Sequence, residues 1–184
     1  MAVAIELFTT KGYAATSVRE IVEGARVTKP VLYYYFGSKE GLYLEIYRSV
    51  ERQFNEVIAR AAAAAPRSSR DQIERLCLEA FGLFTNNKPA VRLLNAIFWG
   101  PAQSAPPVDL NTFHQRIERE LGGMALRGIE SGEFRKVDPE DITLGVLAVL
   151  SFAMDLQLAQ PERVLTRTRL LNLLEMLFSG IHAR

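Results

Sequence analysis

The 184 residues suit one large domain or two small ones, and an apolar share of 48% allows a sizeable core. A formal net charge of +1 carries no chain-wide nucleic-acid signal, so a nucleic-acid partner would need basic side chains gathered on one face, with Arg19, Arg26, Lys29 and Lys39 as candidates. The single cysteine, Cys77, excludes an internal disulfide, fits a reducing cytosol, and reads as a small buried apolar residue.

Residues 2–11 predict a first helix, with Val3, Ala4, Leu7 and Phe8 on one face and Gly12 as its stop. No basic segment leads into a long apolar run there, so no secretory signal is expected. The stretch from Thr16 to Leu44, TSVREIVEGARVTKPVLYYYFGSKEGLYL, predicts two short helices, a tight turn between them, and the start of a third. Ser17 caps the first of these, and Glu20 three residues on completes a capping box. Val18, Ile21, Val22 and Ala25 recur at helical spacing on its apolar face. Arg26-Val27 is the turn, Thr28 the next cap, and Pro30 lies in a first turn where its missing N–H costs nothing. Leu32 and Phe36, one turn apart, would pack on the preceding helix. Lys29, Pro30, Val31, Tyr33 and Tyr34 are then left facing elsewhere, and of the three adjacent tyrosines Tyr35 is expected to turn inward. Gly37 ends the helix and Ser38 caps its successor.

Helices this short need each other and a third helix to be stable. A helix-turn-helix has this form, and its second helix enters the DNA major groove. Lysine suits a phosphate or a guanine edge, and tyrosine offers a hydroxyl to phosphate and a ring to a thymine methyl.

At these residues the chain resembles the TetR (tetracycline-repressor-like) transcription regulators. The family pattern T-[ST]-V-R-x-I, a small-residue turn, V-[ST]-K-x-x-L-Y-x-[YH]-F-x-S-K-E-x-L is met at nearly every position of TSVREIVEGARVTKPVLYYYFGSKEGLYLEIY, and AIELFTTKGYAATS matches the family's first helix and loop. The resemblance covers about the first quarter of the chain; beyond it only the helical layout agrees. It implies that Lys29, Pro30, Val31, Tyr33 and Tyr34 face DNA, with Thr28 at the head of their helix. It further implies that Thr16, Ser17 and Lys39 touch phosphate at helix N-termini. Arg26 stands where the family usually has glycine; a left-handed backbone there costs arginine about 1 kcal/mol or more, which a phosphate contact could offset. Pro30 also stands at a common glycine position, so base preference should differ. Relatives usually carry another helical turn and a basic arm before the point where this chain starts, so a shortened N-terminus with fewer phosphate contacts is expected.

Residues 38–64 predict one long helix, with Leu42, Ile46, Val50, Phe54 and Val57 as its stripe; in the resemblance it is the lever by which a bound ligand moves the recognition helix. Further helices follow over 69–86, capped near Ser68 or Ser69, over 89–99, and over 109–131, with a proline-rich loop before the last of these. Asp138-Pro139-Glu140-Asp141 is a helix start, with cap, first-turn proline and acids at the positive dipole end. From Ile142 to Ala159 only Asp155 is ionisable, which raises a membrane reading. Gly145, Ser151, Asp155 and Gln157 dilute the run and basic anchors are missing from its flanks, so no membrane partner is expected. A helix apolar nearly all round is buried on both sides, and the second side calls for another subunit. Residues 139–159 and 162–182 would thus pair with their copies in a homodimer, forming a four-helix contact of the TetR-like kind.

The fold class expected is all-α with about nine helices: a helix-turn-helix domain over 1–45 and a helical ligand-binding and dimerisation domain over 46–184. The function the resemblance implies is a cytoplasmic, ligand-responsive regulator, in the commoner mode a repressor released from a palindromic double-stranded DNA operator by a small apolar effector. The alternative is a dimeric small-molecule-binding module with weak or lost DNA binding. Candidate effector contacts are Phe81, Phe84, Phe98, Trp99, Phe113, His114, Phe152 and Asp155, although aromatics at helical spacing more often form core. No cofactor, metal or catalytic residue is expected: the histidines are only His114 and His182, and His114 with Glu118 does not close a zinc site. No phosphate loop or nucleophile elbow stands in the sequence, so an enzyme is not expected.

Overall fold

The computed structural model describes residues 1–63, 68–99, 105–160, 162 and 165–181, with the side chains at 62, 94–99, 110, 113 and 181 outside that set. The regular elements among the described residues are nine α-helices: α1 (Ala2–Lys11), α2 (Val18–Ala25), α3 (Lys29–Phe36), α4 (Lys39–Ala63), α5 (Ser69–Asn86), α6 (Lys88–Trp99), α7 (Leu110–Glu130), α8 (Pro139–Ala159) and α9 (Arg167–Ile181). The all-α expectation holds. Its largest boundary error is the last helix, which starts five residues late because Thr166 caps it, the hydroxyl accepting Arg169 N–H at 3.2 Å.

The chain divides into two compact units, one of residues 1–53 with 87–110 and one of 54–86 with 111–184. α4 is continuous and contributes to both. In the first unit α1 packs on α2 and on α6, so its buried residues are Ala4, Ile5 and Phe8, while Val3 and Leu7 are half-buried. The stripe is therefore turned from the expected one, because two neighbours share the helix. Ile21, Val22, Leu32, Leu42, Tyr43, Ile46, Val50, Ala90 and Leu93 complete this core. At one end the rings of Phe8, Tyr13 and Tyr43 meet with centroids 5.0–5.5 Å apart, a spacing at which aromatic pairs attract beyond their area.

In the second unit Ile73, Leu76, Cys77, Ala80, Phe81 and Phe84 of α5 are buried. Burial, with the Glu74 charge adding, pushes the Cys77 thiol up to about 12, so it stays protonated and inert. Ser68 caps α5 by accepting Asp71 N–H at 3.0 Å. Glu133, from the turn between α7 and α8, accepts the Ser69 and Arg70 N–H groups at 2.8 and 3.1 Å, placing a carboxylate at the positive end of that helix. Buried Gln72 is satisfied on both sides: its amide donates to Ala61 O at 3.3 Å and its oxygen accepts from Arg127 at 2.9 Å.

α8 starts as expected, with Asp138 accepting Glu140 N–H at 2.9 Å and Pro139 in the first turn. Ile142, Thr143, Val146, Leu150, Ala153 and Gln157 are its buried side. The buried polar groups have partners: Thr143 donates to Pro139 O at 2.8 Å and Gln157 accepts Leu165 N–H at 2.9 Å. Leu144, Ala148 and Phe152, four residues apart, form an outward apolar stripe. By length and composition α8 is the one helix among the described residues that could cross a membrane; inside this unit it packs on α5 and α9.

Candidate nucleic-acid interface

The helix-turn-helix is built locally from caps. The Ser17 hydroxyl accepts Glu20 N–H at 3.2 Å, and the Glu20 carboxylate accepts Ser17 N–H at 2.9 Å, so two otherwise orphaned donors of α2 are satisfied reciprocally. Lys11 at the end of α1 pairs with the same carboxylate, tying α1 to the head of α2. The Lys11 hydrogen bond, followed by the Ser17 backbone and hydroxyl bonds, holds the Glu20 carboxyl down at about 2 against an ordinary 4.5. A depressed folded value contributes stability above the ordinary value that is lost as pH falls through the folded one. NMR titration is expected to find Glu20 ionised down to about pH 2, with Lys11→Met moving its midpoint back up. A midpoint unmoved by that substitution would discard the assigned cause.

Arg26 closes α2 in the left-handed region, at φ 55° and ψ 42°, and is the positive-φ non-glycine residue among those described. Its N–H returns to Glu23 O at 3.2 Å, and Val27 N–H to Val22 O at 3.0 Å, which turns the chain sharply into α3. Arg26→Gly should relieve about 1–2 kcal/mol of left-handed cost while adding about 0.5–1 kcal/mol of unfolded-chain entropy. Denaturant unfolding is therefore expected to show a gain of about 0.5–1 kcal/mol. An unchanged or lower midpoint would mean that the arginine side chain already compensates within the free protein.

α3 leans on α2 through Leu32, its one buried residue, and half-buried Phe36. Thr28 occupies the cap position with extended backbone, but its side chain makes no capping bond; its carbonyl accepts Leu32 N–H at 3.2 Å. Lys29, Pro30, Val31, Tyr33 and Tyr34 are exposed together on the outer side of α3, Tyr34 at 83%. Tyr35 corrects its expectation: it is 71% exposed and its ring stands edge-on to Tyr34, with centroids 5.1 Å apart. An eight-residue helix resting on Leu32 and Phe36 offers a buried stripe too narrow for a third large side chain.

Three residues expected at phosphate have duties inside the fold. Thr16 is 1% exposed and its hydroxyl donates to Gly12 O at 2.8 Å. The Ser17 hydroxyl belongs to the capping box. The Lys39 ammonium donates to Tyr13 O and Thr16 O, each at 2.9 Å, and lies 4.2 Å from the Tyr13 ring centroid. Arg19 pairs with Glu23 at 2.6 Å.

Among the described residues, Phe81, Phe84, His114, Phe152 and Asp155 do not come together as one set. Phe81 and Phe84 are 2% exposed and stack at 6.1 Å within the α5 core. His114 is half-buried on α7. Phe152 and Asp155 lie on the outward side of α8, Phe152 at 64% exposure, so Phe152 lines no interior of its own subunit. The side chains of Phe98, Trp99 and Phe113 lie outside the described residues. Sequence reasoning missed Asn55: its Oδ1 is a buried acceptor without a hydrogen-bond partner among the described residues, a condition that costs about 1–3 kcal/mol. Nothing in the local run QFNEV distinguishes it from a solvated polar residue.

Exposed α3 side chains carried on a capped, left-handed-turn helix-turn-helix have the form of the helix-turn-helix class of fold. Residues 1–46 match the family model described as bacterial regulatory proteins, tetR family. The chain is 38% identical over 80 residues to the HTH-type transcriptional activator FasR of Mycolicibacterium smegmatis, spanning 42% of this chain and 35% of that protein. It is 45% identical over 56 residues to the HTH-type transcriptional regulator QacR of Staphylococcus aureus, 30% of each. The chain thus covers about a third of the length of these relatives. Over nearly the whole chain, the structure superposes on the TetR family transcriptional regulator PfmR of Thermus thermophilus with a TM-score of 0.69 at 27% identity, covering 97% of this chain and 93% of that one. The likeness to the TetR family is thus carried in sequence by residues 1–46 and in fold by nearly the whole chain.

Proposed function

We propose that this protein is a ligand-responsive transcriptional regulator that binds double-stranded DNA as a homodimer. Residues 1–45 serve as the DNA-binding domain and 46–184 as the effector and dimerisation domain. The observation that carries the reading is the outward set on α3: Val31, Tyr33 and Tyr34 are large and apolar-bodied, with Lys29 and Pro30 beside them, and the unit that builds α3 leaves them uncovered. Side chains of this size cost nothing to the fold when exposed singly, but gathered on one short helix they mark a contact surface. In the major groove the helix reads base edges with Lys29 and the tyrosines, while backbone donors hold phosphate.

A two-fold dimer sets its recognition helices one or more turns apart, on the order of 34 Å per turn, so the operator is roughly palindromic. The outward stripe of α8 and exposed Met176 of α9 supply the dimer surface. An apolar effector bound in the second domain shifts DNA affinity by its differential affinity for the two spacings, and release from the operator gives repression. The protein works in the cytoplasm, where the DNA is.

The test is fluorescence anisotropy with an inverted repeat from the DNA upstream of the protein's own gene, against unrelated competitor. Binding that survives competitor excess supports the reading, and Lys29→Ala should then cost about 1–3 kcal/mol and relax preference at one position. Equal, weak binding to every duplex would instead favour a dimeric ligand-binding module without DNA recognition.

A further inference from the structure

Lys39 is the first residue of α4, where a cation opposes the helix dipole. Something other than α4 must account for it. Its Nζ lies 2.9 Å from both Tyr13 O and Thr16 O, two carbonyls of the segment that joins α1 to α2. That segment is turned inward on itself: Gly12 takes φ 81°, Thr16 N–H donates to Tyr13 O at 3.3 Å, and the Thr16 hydroxyl donates to Gly12 O at 2.8 Å. The turn therefore presents its carbonyls together, and a backbone carbonyl has room for more than one donor. The Tyr13 ring lies beneath the ammonium, with its centroid 4.2 Å away, and packs on Phe8 and Tyr43. Tyr43 stands one turn beyond Lys39 on α4, so the ammonium sits over an aromatic cluster to which α4 itself contributes. Ser17, the cap of α2, follows Thr16 directly.

We propose that Lys39 is a positioning residue: its ammonium clasps the Tyr13 and Thr16 carbonyls above the Tyr13 ring and thereby fixes the entry of α2 to the first turn of α4, instead of meeting a DNA phosphate. The proposal rests on the DNA-binding reading only for its effect on affinity; the clasp itself exists in the free protein. Its consequence is mechanical. α2 carries α3, so any movement of the α4 start is passed to the recognition helix through this grip, and a bare phosphate ligand would pass on nothing. The clasp also explains why a lysine, with three donors on a compact head, is wanted where a guanidinium fork would splay past two converging carbonyls.

The experiment compares wild type with Lys39→Met, which keeps the stem and removes the donors. Without DNA, the variant is expected to melt several degrees lower and to exchange the amides of residues 13–20 at least 10-fold faster. With operator DNA it should bind about 10-fold more weakly, with an unchanged slope of log Kd against log salt. A slope reduced by about one, with melting and exchange as in wild type, would identify a phosphate contact and overturn the clasp. Should the variant fail to fold, the wild type still decides: a clasped Lys39 side-chain ammonium resonance persists at low temperature and barely shifts on adding DNA, whereas an unclasped one is lost to exchange or moves strongly on binding. If wild type binds no DNA specifically, the regulator reading fails, while melting, exchange and the ammonium resonance continue to judge the clasp.

Discussion

Phe152→Glu is expected to turn the proposed dimer into a monomer and to abolish the operator binding proposed for it, while leaving the helical content of each subunit intact. Phe152 is 64% exposed on α8, and Leu144, eight residues back on the same side, is 52% exposed, so neither holds its own subunit together. In a dimer both would be buried, and a carboxylate left there without a partner costs about 3–5 kcal/mol per buried charge. The two-fold axis doubles the insult to about 6–10 kcal/mol, so association should weaken by roughly 10,000-fold or more. Losing the second subunit also removes the effective-concentration advantage of two half-sites, about 100- to 10,000-fold in avidity. Sedimentation equilibrium reads the first effect and anisotropy the second, with Leu144→Glu as an independent repeat. A variant of dimeric mass, or a wild type that is monomeric at micromolar concentration, removes α8 from the interface.

The second large effect belongs to the turn between α7 and α8. Phe134 and Phe178 stack with centroids 5.6 Å apart and planes 1° from parallel, and both are at most 1% exposed. The Phe134 ring lies across Gly128 of α7: a Cβ there would fall 2.3 Å from the ring Cδ2 and 2.4 Å from Cε2, while Phe134 N–H donates to Gly128 O at 2.9 Å. Phe134→Ala should cost about 3–5 kcal/mol, a large share of the roughly 5–15 kcal/mol that holds a domain together. Gly128→Ala should also destabilise, because the ring cannot yield without leaving Phe178, although alanine is the better helix former. The decisive reading is the double variant. With the ring gone, the methyl group introduced by Gly128→Ala keeps only a tight contact of 3.1 Å with Ser69 Cβ, so the pair should cost less than the two singles summed, with a coupling above about 1 kcal/mol, on the order seen for touching residues. Strict additivity in urea unfolding would mean that the ring and Gly128 do not constrain each other. Glu133, next to Phe134, caps α5, so loss of this anchor should also raise amide exchange at Ser69 and Arg70.

Much of the site was legible because it is written in short-range chemistry. The capping box of Ser17 and Glu20, the turn at Arg26-Val27, the outward set on α3 and the Ser38 cap each depend on residues at most four apart. Tyr35 was not legible in the same way. Three adjacent tyrosines are equivalent in composition, and whether any is covered depends on how far α2 reaches along α3; all three are exposed. Lys39 was read as a phosphate ligand because its partners, Tyr13 O and Thr16 O, are backbone atoms 26 and 23 residues away, and carbonyls carry no residue identity. Phe152 is expected among the effector contacts from the resemblance alone, and periodicity, which marks α8 as apolar nearly all round, does not say which side meets its own core.

By itself the sequence determined the all-α class, most helix bounds among the described residues, and the helix-turn-helix with the exposed set on α3, since each follows from backbone hydrogen bonding and apolar spacing within a turn or two. Tertiary structure decided what those local rules leave degenerate: that α6 joins α1 in the first unit, that Lys39 grips a loop, and that Leu144 and Phe152 face outward. The reason is that side-chain partners far apart in the chain are chosen by packing, where many arrangements bury similar area and only the assembled core selects among them.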